Sequence, residues 1–341
     1  MFIGVKTNIT LYYIMSEYFS KDELFMEPKT TQYGSHMIMT NVIKPNKKKY
    51  INLDTKFRDE YNYQSTTNYN ITLPERVTEV KTMTVTNMEI PMLFYNISSS
   101  LGNNSFQITD HSNSGRVHLI IIPDGQYDST GLATAINTQF IELLSFTGNT
   151  EPSDADLRCQ INGNYTEFYT NAASFTIDFT VNDQGMNDSY NFRYKLGWLL
   201  GFRRPTYYVT FSYSDNPAPG AGPDGQPITI SEKTIDLNGP RYLYLAIEEF
   251  GKGNQKSFIS PIATSFINKN IIARISMDKT VYGYGAILPA NKLNGYLLSD
   301  IRCYTGKIDL MKLNVQLLNE IGNPISLNDY DFSFCLEVEH E

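Results

Sequence analysis

Cysteine is scarce in this chain of 341 residues: Cys159, Cys303 and Cys335 are odd in number, widely spaced and without a CxxC pair. That excludes a disulfide framework and a thiolate zinc site, and it suits a chain assembled in a reducing compartment. Tryptophan occurs once, at Trp198, and the four histidines, His36, His111, His118 and His340, show neither HxH nor HExxH spacing. A histidine metal site is therefore not expected. Basic charge is in deficit, with a formal net charge of −8, which argues against a surface that clamps nucleic acid through clustered Lys and Arg. Long apolar runs are missing too. Lys6, Asn8 and Thr10 break up Met1 to Met15, leaving neither a signal-type run nor a membrane span there.

What the chain has instead is aromatic: 24 Tyr and 19 Phe, with abundant Asn and Thr, a balance that favours strands and loops over helices. The most informative stretch runs from Tyr69 to Ser98. Met83 and Val85 alternate with Thr82, Thr84 and Thr86, the period of a strand with one wet face. After Asn87 the parity flips to Met88 and Ile90, which one extra residue in a ladder produces, so a β-bulge is expected there. Pro74 and Pro91 bracket the segment, as suits residues that cannot donate to a ladder. Long bulged strands of this kind fit two sheets folded around one shared core.

Other elements follow in order. Residues 1–49 carry no persistent period and read as an extended N-terminal arm whose Tyr12, Tyr13, Tyr18 and Phe19 are candidate partner contacts. Lys44 to Lys49 is the one locally basic run; it reads as a solvated linker, with contact to an anionic partner as the sharper alternative. Strands are expected at Phe106 to Ile108, Val117 to Ile122, Phe175 to Val181, Tyr242 to Ile247 and Ile271 to Ile275, with His118 pointing outward from its strand. A helix is expected from Ser129 or Thr130, behind a hydroxyl N-cap, with Leu132, Ala133, Ile136, Phe140, Leu143 and Leu144 on one face. Leu196 to Phe202 reads as an apolar plug capped by Gly201, and a loop insertion is expected near residues 212–234, around Pro217 to Pro227. Leu313, Val315 and Leu317, joined through residues 319–328 to Phe332, Phe334, Leu336 and Val338, predict a terminal hairpin.

No catalytic constellation emerges. Glu248-Glu249 and Asp54 with Asp59 are the only carboxylates worth weighing as a glycosidase pair, and solvent-facing acids are the commoner explanation. Glycine loops such as Gly283-Tyr284-Gly285 lack a following helix with a phosphate-binding lysine. Catalytic, cofactor-binding and metal residues are accordingly expected to be none. Arg203-Arg204 offers planar forks for an anion or a partner carboxylate and joins the candidate contacts. The sequons at Asn8, Asn70, Asn96, Asn103, Asn164 and Asn187 are discounted as products of an Asn- and Thr-rich composition.

Several segments in order, Ile51 to Asp59, Ile71 to Ile97 with Glu89-Ile90-Pro91, Gly125-Gln126-Tyr127, Leu196 to Phe202, Tyr242 to Leu245 and Gly322 to Phe334, resemble capsid proteins of large icosahedral double-stranded DNA viruses. The similarity is to the minor capsid and penton-type jelly-roll proteins of the giant-virus and virophage group. It implies an all-β antiparallel sandwich of jelly-roll type with one or two short helices, one domain over residues 50–341, and no enzymatic activity. The implied place is the virion, assembled in the host cytoplasm. Implied partners are copies of the chain itself, as in a pentamer at a fivefold vertex, the major capsid protein and other minor capsid proteins, with no specific nucleic acid. Two alternatives stand beside it: a cement protein beneath the shell joining major capsomers, and a receptor- or glycan-binding β-sandwich presenting its tyrosines.

Overall fold

The structure, a computed structural model, describes residues 45–111, 115–144, 157–170, 174–210, 228–250 and 270–341. The four arm aromatics singled out above and most of the 212–234 loop lie outside these residues. Strand β1 (Lys47–Asp54) begins inside the basic run read as linker and pairs antiparallel with β15 (Ser333–His340) from Lys47↔His340 to Asp54↔Ser333. The lysines are tolerated because an edge strand keeps one face wet; Lys48 and Glu337 meet there at 2.7 Å.

Strand β2 (Asn68–Pro91), 24 residues long, organises the larger body because it belongs to both of its walls. Its first part, as far as Met83, pairs with β14 (Arg302–Leu318); its second part, from Val80 on, pairs with β15 and then with β12 (Ile287–Asn291). One wall therefore runs β1, β15, second part of β2, β12. The other runs first part of β2, β14, β10 (Tyr242–Glu248), β11 (Ile271–Ser276), and every pairing is antiparallel. This order, with two four-stranded walls wound from one chain, is that of a double Greek-key jelly roll. Short β13 (Leu297–Ser299) adds to β11.

The crossing between walls depends on irregularities in β2. Inward positions run Ile71, Leu73, Val77, then Val80, then Met83 and Val85, then Met88 and Ile90, so the facing parity changes three times. At the first change Leu310 and Ile308 oppose Val77 and Val80, which gives β2 one extra residue, and Glu79 takes a left-handed φ of 57°. The second change lies between Val80 and Thr82 against His340 and Glu339. At the third, Leu336 and Cys335 oppose Val85 and Asn87, leaving Thr86 as the extra residue, just before the position after Asn87 where the bulge was expected. Such extra residues bend a strand sharply, which lets one strand serve two walls.

Two expectations fail here. The terminal hairpin does not exist: β2 lies between β14 and β15, both antiparallel to it, so those two strands run parallel to each other. Two strands facing a shared core show the same alternation whether they are neighbours or not, and residues 319–332 return the chain across the barrel instead of turning it tightly. The second concerns the core. Among the described residues, buried apolar side chains form two large clusters, one within the jelly roll and one built from residues 97–209, between β2 and β10.

The inserted body holds a four-stranded sheet, β4 (Arg116–Ile121), β3 (Ser105–Asp110), β7 (Phe175–Asp178) and β8 (Thr206–Val209), and a three-stranded one, β5 (Leu157–Asn162), β6 (Tyr165–Thr170) and β9 (Thr229–Ile230). Helix α1 (Ser129–Leu144) buries Leu132, Ile136 and Phe140; its N-cap is the carboxylate of Asp128, which accepts from Gly131 N at 2.6 Å, and not a hydroxyl. Phe106, Phe140, Phe168, Phe179 and Phe202 are all fully buried, with the Phe179 and Phe202 ring centroids 5.3 Å apart. One turn of helix, α2 (Leu196–Leu199), carries the apolar plug into this cluster. A Cβ on Gly197 would fall 2.2 Å from Phe179, and Gly201 holds φ +95° against the Lys233 carbonyl, so both positions need glycine. His118 is the other correction. It sits opposite buried Ile108, on the parity of Ile120 and Ile122, and is half-buried, not outward; burial, aided by Arg116, lowers its pKa.

Candidate interaction surface

Chemistry is sparse on this framework. Glu249 is fully buried and paired with Arg302 at 2.8 Å, whereas Glu248 is exposed, so the two acids face different surroundings. Asp59 accepts from the backbone and hydroxyl of Thr72, and Asp54 caps the short turn after β1 through Lys56 N. Those are structural roles. Among the described residues no group of three His, Cys, Asp or Glu is placed to hold a metal ion, and no helix is long and apolar enough to cross a membrane. The three cysteines carry free thiols.

The candidate arginines are occupied within the fold. Arg203 lies over the Trp198 ring at 4.0 Å and donates through Nη1 to the carbonyls of Trp198 and Phe202, which closes the end of α2. Arg204 covers Tyr207 at 4.6 Å and approaches Glu232 at 3.6 Å. Glu232 in turn accepts from the Tyr207 hydroxyl, whose pKa is raised by burial and by that carboxylate. Glu232 was not legible as a partner, since nothing in sequence brings it to Tyr207.

Exposed apolar side chains mark other surfaces. The β12–β13 turn and its flanks expose Ile287, Leu293, Leu298 and Ile301, with Leu293 fully open to solvent. Alternation along β12 would have located Ile287, because Leu288 and Ala290 are its inward partners. On the opposite flank, a groove of about 420 Å³ opens between β1 and the first part of β2. Tyr50 and Phe57 line it at 62% and 69% exposure, and the Lys49–Glu75 ion pair bridges it. A second cleft of about 400 Å³ lies where the inserted body meets the jelly roll, between Trp198, Arg193, Asp236 and Arg241. Asn96 fastens that junction: its amide donates to the carbonyls of Tyr127 and Leu237 and accepts from Tyr127 N.

No protein-family model matches the sequence, and no curated protein matches it either. Solved structures similar to this chain include two virophage proteins. The mavirus penton protein is 10% identical, with a TM-score of 0.42 over 86% of this chain and 100% of that one. A chain of the Sputnik virophage is 11% identical, with a TM-score of 0.39 over 87% of this chain and 98% of its own.

Proposed function

We propose that this chain is a structural subunit of an icosahedral viral shell, of the penton type, held at a fivefold vertex by contacts with its own copies, a major capsid protein and other minor capsid proteins. The observation that supports the reading is the strand order: two antiparallel walls, β1-β15-β2-β12 and β2-β14-β10-β11, in the jelly-roll winding that capsid subunits share with some lectins. The sequence resemblance described above points the same way. Apolar side chains left in water at Ile287, Leu293, Leu298 and Ile301 supply surface that association would bury. A vertex ring needs two different, mutually fitting patches per subunit, so that head-to-tail contacts close. On this reading the protein resides in the virion, is assembled in the host cytoplasm, and transforms no substrate.

Electron microscopy of the purified chain, alone and mixed with the major capsid protein of the same virus, tests this. Fivefold rings are expected. Binding only to major capsomers would move the protein to a cement role, and selective glycan binding by the isolated chain would move it out of the shell altogether.

A further inference from the structure

A strand at the end of a sheet shows unpaired amides and carbonyls, and three such strands here are guarded against a further one. β1 carries Lys47, Lys48 and Lys49. β12 holds Pro289, which has no N–H and whose carbonyl accepts from the Asn294 amide. On β5 the Asn137 side chain takes both groups of Cys159, accepting from its N–H at 2.8 Å and donating to its carbonyl at 2.7 Å. β4, at the end of the four-stranded sheet, differs: after Arg116 it reads Val-His-Leu-Ile-Ile, with neither lysine nor proline. Ile122 N donates to Asn104 O, so positions 116, 118, 120 and 122 carry the ladder to β3, and the amides and carbonyls of Val117, Leu119 and Ile121 point away from it. No partner meets those groups among the described residues. The same three residues share the solvent face of the sheet with Thr109, Gln107 and Ser105, and there Val117 is 54% and Ile121 41% exposed. Free main-chain groups beside exposed aliphatic side chains suit strand addition.

We propose that β4 of one copy pairs antiparallel with β4 of a second copy about a twofold axis at Leu119, joining two inserted bodies through one continuous sheet. This register sets Leu119 against Leu119 and Val117 against Ile121, each pair exchanging two main-chain hydrogen bonds, so that the aliphatic side chains of this edge meet one another. Moving the axis to Ile120 would set Val117 against Pro123, which cannot donate, and moving it to His118 would set Ile121 against Gly115, which has no side chain. Charge agrees with the same register. The two Arg116 side chains stand about 20 Å apart along the strands. The nearest charge to each on the opposite strand is Asp124 of the other copy, two residues past the position facing Arg116. β4 gives six residues to the joint, against about 20–30 a side in a standard interface, so free copies associate weakly and other contacts must strengthen the pair in an assembly. The inference does not rest on the shell reading, since a twofold contact between inserted bodies is available to any two copies and is not the head-to-tail contact that closes a ring.

Disulfide trapping in the full chain tests it, because a covalent trap registers a brief contact. The background is Cys303→Ser with Cys335→Ser, which leaves only the buried thiol of Cys159. Leu119→Cys should then form a linked dimer under mild oxidation, since opposed Cα atoms of a hydrogen-bonded pair lie about 5.5 Å apart, within disulfide reach. Val117→Cys alone leaves its two thiols about 14 Å apart along the strands and should dimerise at least about ten times more slowly. Mixing Val117→Cys with Ile121→Cys should restore the rapid rate as a mixed dimer, identified by mass. Val117→Pro, added to Leu119→Cys, strips a donor from the free edge and breaks no bond to β3. Dimer yield should fall about tenfold with it, while Trp198 fluorescence reports an unchanged inserted body. Equal yields from Leu119→Cys and Val117→Cys would overturn the proposal. So would faster joining of Val117→Cys to Leu119→Cys than of Leu119→Cys to itself, or a yield indifferent to Val117→Pro.

Discussion

Replacing Glu249 with Gln should destabilise the jelly roll far more than removing the whole ion pair. Arg302 and Glu249 retain 1% and 0% side-chain exposure, and Arg302 also donates to the carbonyls of Ile247 and Asn270, each at 2.9 Å. Glu249→Gln strands a guanidinium charge out of water, for which about 3–5 kcal/mol is the expected loss. With a urea slope of about 2 kcal/mol per molar, the transition moves down by roughly 2 M. In the double variant Glu249→Leu with Arg302→Met, no charge remains to desolvate and only two carbonyls lose a donor, at about 1 kcal/mol each. The double variant should therefore be the more stable of the two. Circular dichroism during urea unfolding reads the strands of the whole chain, while fluorescence of Trp198 reports the inserted body and serves as the internal control. A loss below about 1 kcal/mol in the single variant, or a double variant weaker than the single, would refute the reasoning.

Gly201→Ala forces a Cβ to within 2.0 Å of the Lys233 carbonyl at φ +95°, so a loss above about 2 kcal/mol is expected by Trp198 fluorescence. Gly285→Ala, at φ +87° with nothing within 4 Å, should lose only about 1 kcal/mol. Asn96→Ala removes three hydrogen bonds at a buried junction, and about 2–3 kcal/mol should disappear from the same urea transition. Burial, partly offset by Asp236, pulls the Lys279 ammonium down to about 8 from 10.5. Between those values the unfolded chain binds more protons than the folded one, so this group makes stability rise with pH. Lys279→Met should flatten that rise in thermal melts between pH 8 and 10.5. If the chain is expressed through a secretory pathway, buried Asn96 and Asn103 should stay unmodified, while exposed Asn164 and Asn187 remain open to glycosylation, as intact-mass analysis would report.

Local patterns in the sequence carried local structure. The Thr86 bulge followed from the parity change between Val85 and Met88, and α1 from the spacing of Leu132, Ile136 and Phe140. The irregularity around Glu79 escaped because Arg76, Thr78 and Glu79 break the alternation with polar residues that any wet strand face tolerates. Lateral neighbours were illegible: β14 and β15 display the pattern of a hairpin although β2 separates them, since alternation records which side faces the core and not who stands alongside. The β5–β6 hairpin carries a legible signal of its own. Asn162-Gly163-Asn164 is a turn signal, and Gly163 adopts φ 62°. Of the candidate site, the aromatic arm lies outside the described residues, and the groove required two edges from distant stretches to be placed side by side.

The position of the inserted body has a consequence for how such a chain can change over time. It leaves the jelly roll after Phe94 and returns at Tyr242, and a Cβ on Gly239 would lie 3.9 Å from the Cα of Asn96, so departure and return are adjacent. Bridging two neighbouring ends by a longer or shorter excursion alters closure entropy only logarithmically. The excursion is thus a cassette: its outer surface is free to be lengthened, trimmed or exchanged to suit new neighbours while the walls beneath keep their register.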